Sequence, residues 1–192
     1  DLRHALASDF QLQAKVTLAE VMKQQGFQTG AILANAQVMF FNGMDRGFDQ
    51  IVKPQARGWL SLTGETLRRT LMPGNYAHAL KPYPPAETIS REVLRFLDHC
   101  GPEPCFILAN YMEAHWPFAA AAPYRGEFNK EGWPGVQVAR YDEELLGLDA
   151  AIGELLAQLE ERGVLDRAWI VISADHGEEF WEHGSYMHGT SL

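Results

Sequence analysis

Ala168-Trp-Ile-Val-Ile-Ser-Ala-Asp-His-Gly-Glu-Glu179 is the stretch on which the fold turns. Ala168 to Ser173 is apolar, rich in β-branched and aromatic residues, and shows no polar alternation. That pattern predicts a strand covered on both faces. The run passes straight into Asp175-His176-Gly177-Glu178-Glu179, so a dense set of polar groups follows the carboxyl end of the predicted strand.

Outward from this stretch the chain alternates. Upstream, a long helix is predicted over about Val136 to Arg162, with Tyr141, Leu145, Leu148, Ile152, Leu155, Leu156 and Leu159 on one face at helical spacing. Gly163 stops it. Cys105 to Ala109 is a short apolar run after a Gly-Pro break and reads as a buried strand. Before it, Ala86 to His99 is a helix with Ile89, Val93, Leu94, Phe96 and Leu97 on its apolar side. Asn35 to Pro85 is loop-rich, with one helix predicted near Gly64 to Leu71. A first helix spans about Val16 to Gln25, where Thr17 and Glu20 form a capping box and Gly26 ends it. Phe27 to Ala34 follows as a strand. The order helix, strand, helix, strand, helix, strand predicts an α/β fold: a three-layer sandwich whose mostly parallel sheet carries helices on both faces. In such sheets ligands gather outside the carboxyl ends of the strands, here after Ala34, Ala109 and Ser173.

Composition narrows the function classes. The chain has 192 residues, 46% of them hydrophobic and 21% charged, the balance of an ordinary globular domain rather than a disordered or disulfide-dense chain. No apolar run approaches the ~18 residues of a membrane span. The formal net charge is −9, which argues against a broad basic face for nucleic acid. The start at Asp1 is polar and lacks an apolar leader core, which leaves localisation open between periplasm and cytoplasm. Cys100 and Cys105 flank Gly-Pro-Glu-Pro and read as two free thiols, with a small-loop disulfide as the alternative.

Candidate chemistry concentrates in two blocks. From Asp175 to His188 the chain carries three histidines and four carboxylates in fourteen residues. Asp carboxylates and neutral imidazoles are good ligands for a divalent cation, and Gly177 allows close backbone approach. By residue type alone the run also reads as a solvated polar loop with a capping Asp. The second block is Asn110-Tyr-Met-Glu-Ala-His-Trp-Pro-Phe118. His115 lies just beyond the middle strand and reads either as an imidazole aimed into a cleft or as a loop histidine packed on Trp116.

Together these blocks resemble the sulfatase family of the alkaline-phosphatase superfamily. Thr17-Leu-Ala-Glu-Val-Met-Lys-Gln-Gln-Gly-Phe-Gln-Thr29 looks like the family's T-L-A-E-x-L-K-x-x-G-Y-x-T segment. Asp45-Arg-Gly-Phe-Asp49 resembles its R-G-F-D turn, and Asn110 to Phe118 its Y-x-D-A-H-x-P-Y block. The helix through Tyr141 and Asp149 to Gly153, followed by Asp175-His-Gly-Glu178, is similar to the helix and D-H-G-E strand end of the metal site. Each motif alone is weak; their order along one chain carries the resemblance.

The resemblance implies metal-dependent hydrolysis of sulfate esters, an arylsulfatase-like activity on a small-molecule or carbohydrate sulfate ester. It implies an alkaline-phosphatase-like fold, of which residues 1–192 are expected to be an incomplete part, truncated at both ends. Asp175 and His176 fall on metal ligands; the implied ion is Ca2+, with Mg2+ or Mn2+ as alternatives. His188 falls on the group that touches the sulfate and the leaving oxygen, and His115 on a second substrate-facing histidine. These two are the candidate catalytic residues. His183 sits in an E-H-G triplet and reads as structural support.

Two departures accompany the match. The family nucleophile is a formylglycine made from a C/S-x-P/A-x-R motif, and no such motif occurs here: Cys100-Gly-Pro-Glu-Pro104 lacks the Arg. The formylglycine and the paired Asp of the first strand are therefore expected in a segment N-terminal to this one, and the chain alone is expected to be inactive. Second, the family's Gly-Lys-x-His segment reads Ala34-Asn35-Ala36-Gln37. This leaves open the alternative of a phosphonate or phosphodiester hydrolase or a phosphoethanolamine transferase of the same superfamily, and of a non-catalytic fragment.

Overall fold

The computed structural model describes residues 16–35, 43–55 and 83–188. The helix expected near Gly64 to Leu71 lies outside them. The chain divides into two compact units, residues 1–57 with 83–112, and residues 58–82 with 113–192.

The first unit is built on a parallel sheet. Helix α1 (Leu18–Gln24) starts where the capping box requires. Thr17 Oγ1 accepts from the Glu20 backbone N–H at 3.1 Å, and Glu20 Oε2 accepts from the Thr17 N–H at 2.7 Å. Strand β1 (Gln28–Leu33) follows, then β2 (Gln50–Val52), helix α2 (Ala86–Cys100) and β3 (Cys105–Asn110). The sheet order is β2-β1-β3 and both pairings are parallel, with Gly30 opposite Gln50 and Ile107. The predicted parallel α/β character is borne out. Strand β2 lies in a stretch read as loop, because three residues are too few to show a period.

Strand β1 is apolar without alternation because both of its faces are covered. Ala31 and Leu33 pack with Phe48 and Ile51. On the opposite face Gly30 lies against Phe96 of α2, so close that a Cβ there would stand 2.6 Å from the ring. Ile89, Val93, Leu94 and Phe96 of α2 are buried, as its spacing predicts.

The Asp45–Asp49 turn is structural. Gly47, at φ 91°, has no room for a Cβ, which would sit 2.2 Å from the Glu20 nitrogen. The turn therefore presses its backbone onto the start of α1, where Thr17 donates its hydroxyl to the Arg46 carbonyl at 2.8 Å.

Cys100 and Cys105 are joined in a disulfide, with Cα atoms 6.3 Å apart. The free-thiol reading is thereby corrected. The turn at Gly101–Pro104 folds the end of α2 back onto the start of β3, a proximity that thiol spacing alone does not reveal.

In the second unit, helix α3 (Gly135–Glu161) is followed by a 3-10 turn (Leu165–Arg167) and an antiparallel hairpin of β4 (Glu179–Phe180) and β5 (Tyr186–Met187). The helix buries Ala151, Leu155 and Leu159, but also Glu143 and Glu144, while Leu145 is left exposed. The carboxylates go inward because loop backbone needs acceptors. Glu144 Oε1 accepts from the Ala119 N–H at 2.5 Å, and Glu143 Oε1 from the Gly126 N–H at 2.8 Å.

The predicted strand Ala168–Ser173 is a correction. Among the described residues it carries no strand pairing. Trp169 is 98% exposed and Val171 86%. Apolar composition specifies that a segment is suited to a sheet, but a strand exists only where a partner supplies the second half of each hydrogen bond.

Candidate active site

The site residues of the second unit are carried by the Asp175–His188 segment and by the loop that begins at Glu113. An aromatic cluster fixes the hairpin. Phe180 of β4 packs on Phe118 at 5.6 Å and on Tyr141 of α3 at 5.3 Å between ring centroids. Phe118 meets Tyr141 edge-to-face at 5.5 Å, and Tyr186 of β5 meets Trp133 at 4.9 Å. The 181–185 connection is closed by Glu179, whose Oε1 accepts from the His183 and Ser185 N–H groups at 2.9 and 3.0 Å. Trp181 adopts a positive φ of 74° in this connection, and its N–H is held by the Ser185 carbonyl at 2.8 Å.

Three of the imidazoles named from sequence converge on this scaffold. The rings of His176 and His188 lie 4.4 Å apart, and those of His115 and His188 5.2 Å apart. Each has its Nδ1 against an oxygen that can only accept. His115 Nδ1 lies 2.7 Å from the Trp116 carbonyl, His176 Nδ1 2.9 Å from the Gly177 carbonyl, and His188 Nδ1 2.6 Å from Glu178 Oε1. All three Nδ1 atoms therefore carry the proton, and in the neutral rings the lone pair belongs to Nε2.

Asp175 is solvent-exposed beside His176, its side chain 84% exposed. Its Oδ1 accepts from the His176 N–H at 3.0 Å, and its Oδ2 lies 3.7 Å from His176 Nε2. A carboxylate oxygen and an unprotonated imidazole nitrogen at that separation fit two ligands of one divalent cation. A ring whose other nitrogen donates to a carbonyl is the usual support for such a ligand. Nitrogen or oxygen donors of His176, Glu178 and His188 also fall within 4.8 Å of one another. His183 lines the same cleft but falls outside this donor group: its ring is 81% exposed and its Nδ1 is 3.8 Å from Glu179 Oε1.

A cleft of about 480 Å³ opens here, lined by His176, Glu178, Glu179, Met187 and His188 among others. Glu178 was passed over from sequence as one of four acidic groups in a polar run. Its side chain is only 4% exposed, and its carboxylate faces the aromatic cluster. Burial raises the Tyr141 and Tyr186 phenols above the usual range, and the Glu178 charge adds to both. The sequence marks Glu178 as the last residue of the Asp175-His-Gly-Glu178 run but gives it no role of its own.

The sulfatase family model matches residues 4–191. This chain belongs to the sulfatase family. Among solved structures this sulfatase-family chain is similar to Ps i-CgsB in complex with k-i-k-neocarrahexaose, at a TM-score of 0.50 and 17% identity, covering 85% of this chain and 42% of that one. A second structure of Ps i-CgsB matches at TM-score 0.47 and 15% identity over 85% of this chain and 42% of that one. A protein in the alkaline phosphatase superfamily from Vibrio parahaemolyticus matches at 0.48 and 18%, over 76% of this chain and 32% of that one. The chain thus spans less than half the length of these structures. No curated protein matches it.

Proposed function

We propose that this chain supplies part of the metal and substrate site of a sulfuric ester hydrolase. The observation that carries the reading is the convergence of His115, His176 and His188, each with its Nδ1 proton held by an oxygen, beside Asp175 in a chain of the sulfatase family. The similarity to a protein solved with k-i-k-neocarrahexaose supports a carbohydrate sulfate ester as substrate.

Asp175 and His176 would hold a divalent ion, with calcium as the family's usual choice. When bound, that ion neutralises charge on the non-bridging sulfate oxygens. His188 is the proton donor to the departing alkoxide. With Nδ1 bonded to Glu178, its Nε2 is the atom that gives the proton, and the carboxylate stabilises the imidazolium form from which it is given. His115 lies beside His188 and orients the sulfate through its own Nε2. Cys100 takes no part as a nucleophile precursor, since it is joined to Cys105 and Pro104 stands where the motif has Arg.

The test is hydrolysis of an aryl sulfate by the intact protein beside a phosphodiester of the same leaving group. His188→Ala is expected to lower kcat/KM for the sulfate by about 10²–10⁴-fold. Preference for the phosphodiester, or an unchanged rate in the variant, would defeat the reading.

A further inference from the structure

We propose that Glu178 is the positioning residue of His188, holding its ring in the Nδ1–H tautomer and so choosing Nε2 as the working nitrogen. This rests on the reading of His188 as a proton donor, and it adds a residue that the sequence motifs leave without a role.

Glu178 Oε1 meets His188 Nδ1 at 2.6 Å across ten residues of chain. The contact is built by the hairpin. Glu178 immediately precedes β4, His188 immediately follows β5, and the pairing of Glu179 with Met187 brings the two strand ends side by side. The carboxylate is almost fully enclosed, while the imidazole keeps about a third of its surface, 32%, toward the cleft.

The energetics argue for purpose rather than accident. A buried carboxylate is costly unless its oxygens are satisfied. Among the described residues Glu178 Oε2 is buried without a hydrogen-bond partner, and the carboxylate is anchored through Oε1 on His188 Nδ1. A solvated glutamate or an apolar residue would be the cheaper occupant, whereas an enclosed carboxylate on the rear nitrogen of an imidazole fixes both its tautomer and its orientation.

The experiment is a two-bond ¹H–¹⁵N correlation spectrum of the histidine rings in the intact protein at alkaline pH, with His188 assigned by its loss in His188→Gln. The expected result is the Nδ1–H tautomer for His188 in the wild type. Glu178→Gln keeps a carbonyl acceptor and keeps that tautomer, whereas Glu178→Leu returns the ring toward Nε2–H. In kinetics, Glu178→Leu lowers kcat on the order of 10²-fold with little change in KM, and adding it to His188→Ala costs nothing further. Melting curves of both Glu178 variants separate loss of fold from loss of positioning. An Nε2–H tautomer in the wild type, or an unchanged tautomer in a folded Glu178→Leu, overturns the proposal. So does a loss of divalent-ion affinity in Glu178→Gln equal to that in Asp175→Asn, which would make Glu178 a ligand. If His188→Ala alone leaves the rate intact, the catalytic reading fails, while the tautomer result still decides the pairing.

Discussion

Asp49 and Thr29 clasp each other across the sheet. Asp49 Oδ2 accepts from the Thr29 N–H at 3.1 Å and faces its hydroxyl at 2.9 Å, while the Asp49 N–H donates to Thr29 Oγ1 at 2.9 Å. Thr29 is fully buried. The Lys23 ammonium, and after it Thr29, hold the Asp49 carboxyl below the usual carboxylate range. The stabilisation is therefore complete above the unfolded-chain pKa and lost as pH falls through the lower folded value. Asp49→Ala is expected to cost about 1–3 kcal/mol at neutral pH, from the unsatisfied Thr29 N–H. It should also flatten the acid limb of the stability curve. Urea melts at a series of pH values measure both.

Gly30 is required by the ring of Phe96. Gly30→Ala places a methyl group 2.6 Å from that ring, and is expected to destabilise the protein by about 1–3 kcal/mol through overpacking. Adding Phe96→Leu should recover part of the loss. A melting temperature equal to wild type in Gly30→Ala alone would contradict the packing.

The Cys100–Cys105 bond closes a short loop. Thiol titration of the denatured protein without reductant is expected to find no free sulfhydryl. Reduction should lower stability by about 2 kcal/mol, the loop-closure estimate for a ring this small. Two titratable thiols in the unreduced protein would refute the pairing.

Asp175 and His183 should separate cleanly. Asp175→Asn is expected to weaken divalent-ion binding by about 10–100-fold. His183→Ala is expected to change it less than ~2-fold, since the His183 ring is 81% exposed and its link to Glu179 is made by the backbone. Calorimetric titration with calcium, magnesium and manganese tests the pair. Equal losses in both variants would move His183 into the metal site.

The Ala168–Ser173 run should promote self-association. Val171 and Ile172 are 86% and 66% exposed in a segment of high strand propensity, the pattern of an unprotected edge. Val171→Lys is expected to shift the protein toward monomer in light scattering after size exclusion. A wild type that is already monodisperse and monomeric at high concentration would count against this.

The features legible in the sequence were those whose partners are close in the chain. Thr17 and Glu20 marked the start of α1, because a capping box closes within three residues. Apolar spacing marked α2 and most of α3, because helical neighbours are three and four apart. The contiguous motifs around His115 and Asp175 marked the family, because each motif is read from neighbouring residues.

What chain order could not convey was decided by contacts between distant residues. Glu178 reads as part of a solvated polar run until the hairpin closes it onto His188, and Glu143 and Glu144 are buried because loop N–H groups claim them. Ala168–Ser173 shows the opposite case: strong local preference, yet no strand pairing among the described residues. Composition records what a side chain prefers, whereas burial, tautomer and strand pairing depend on which partner the fold brings alongside. For this chain that difference lies between an acidic run and an oriented imidazole.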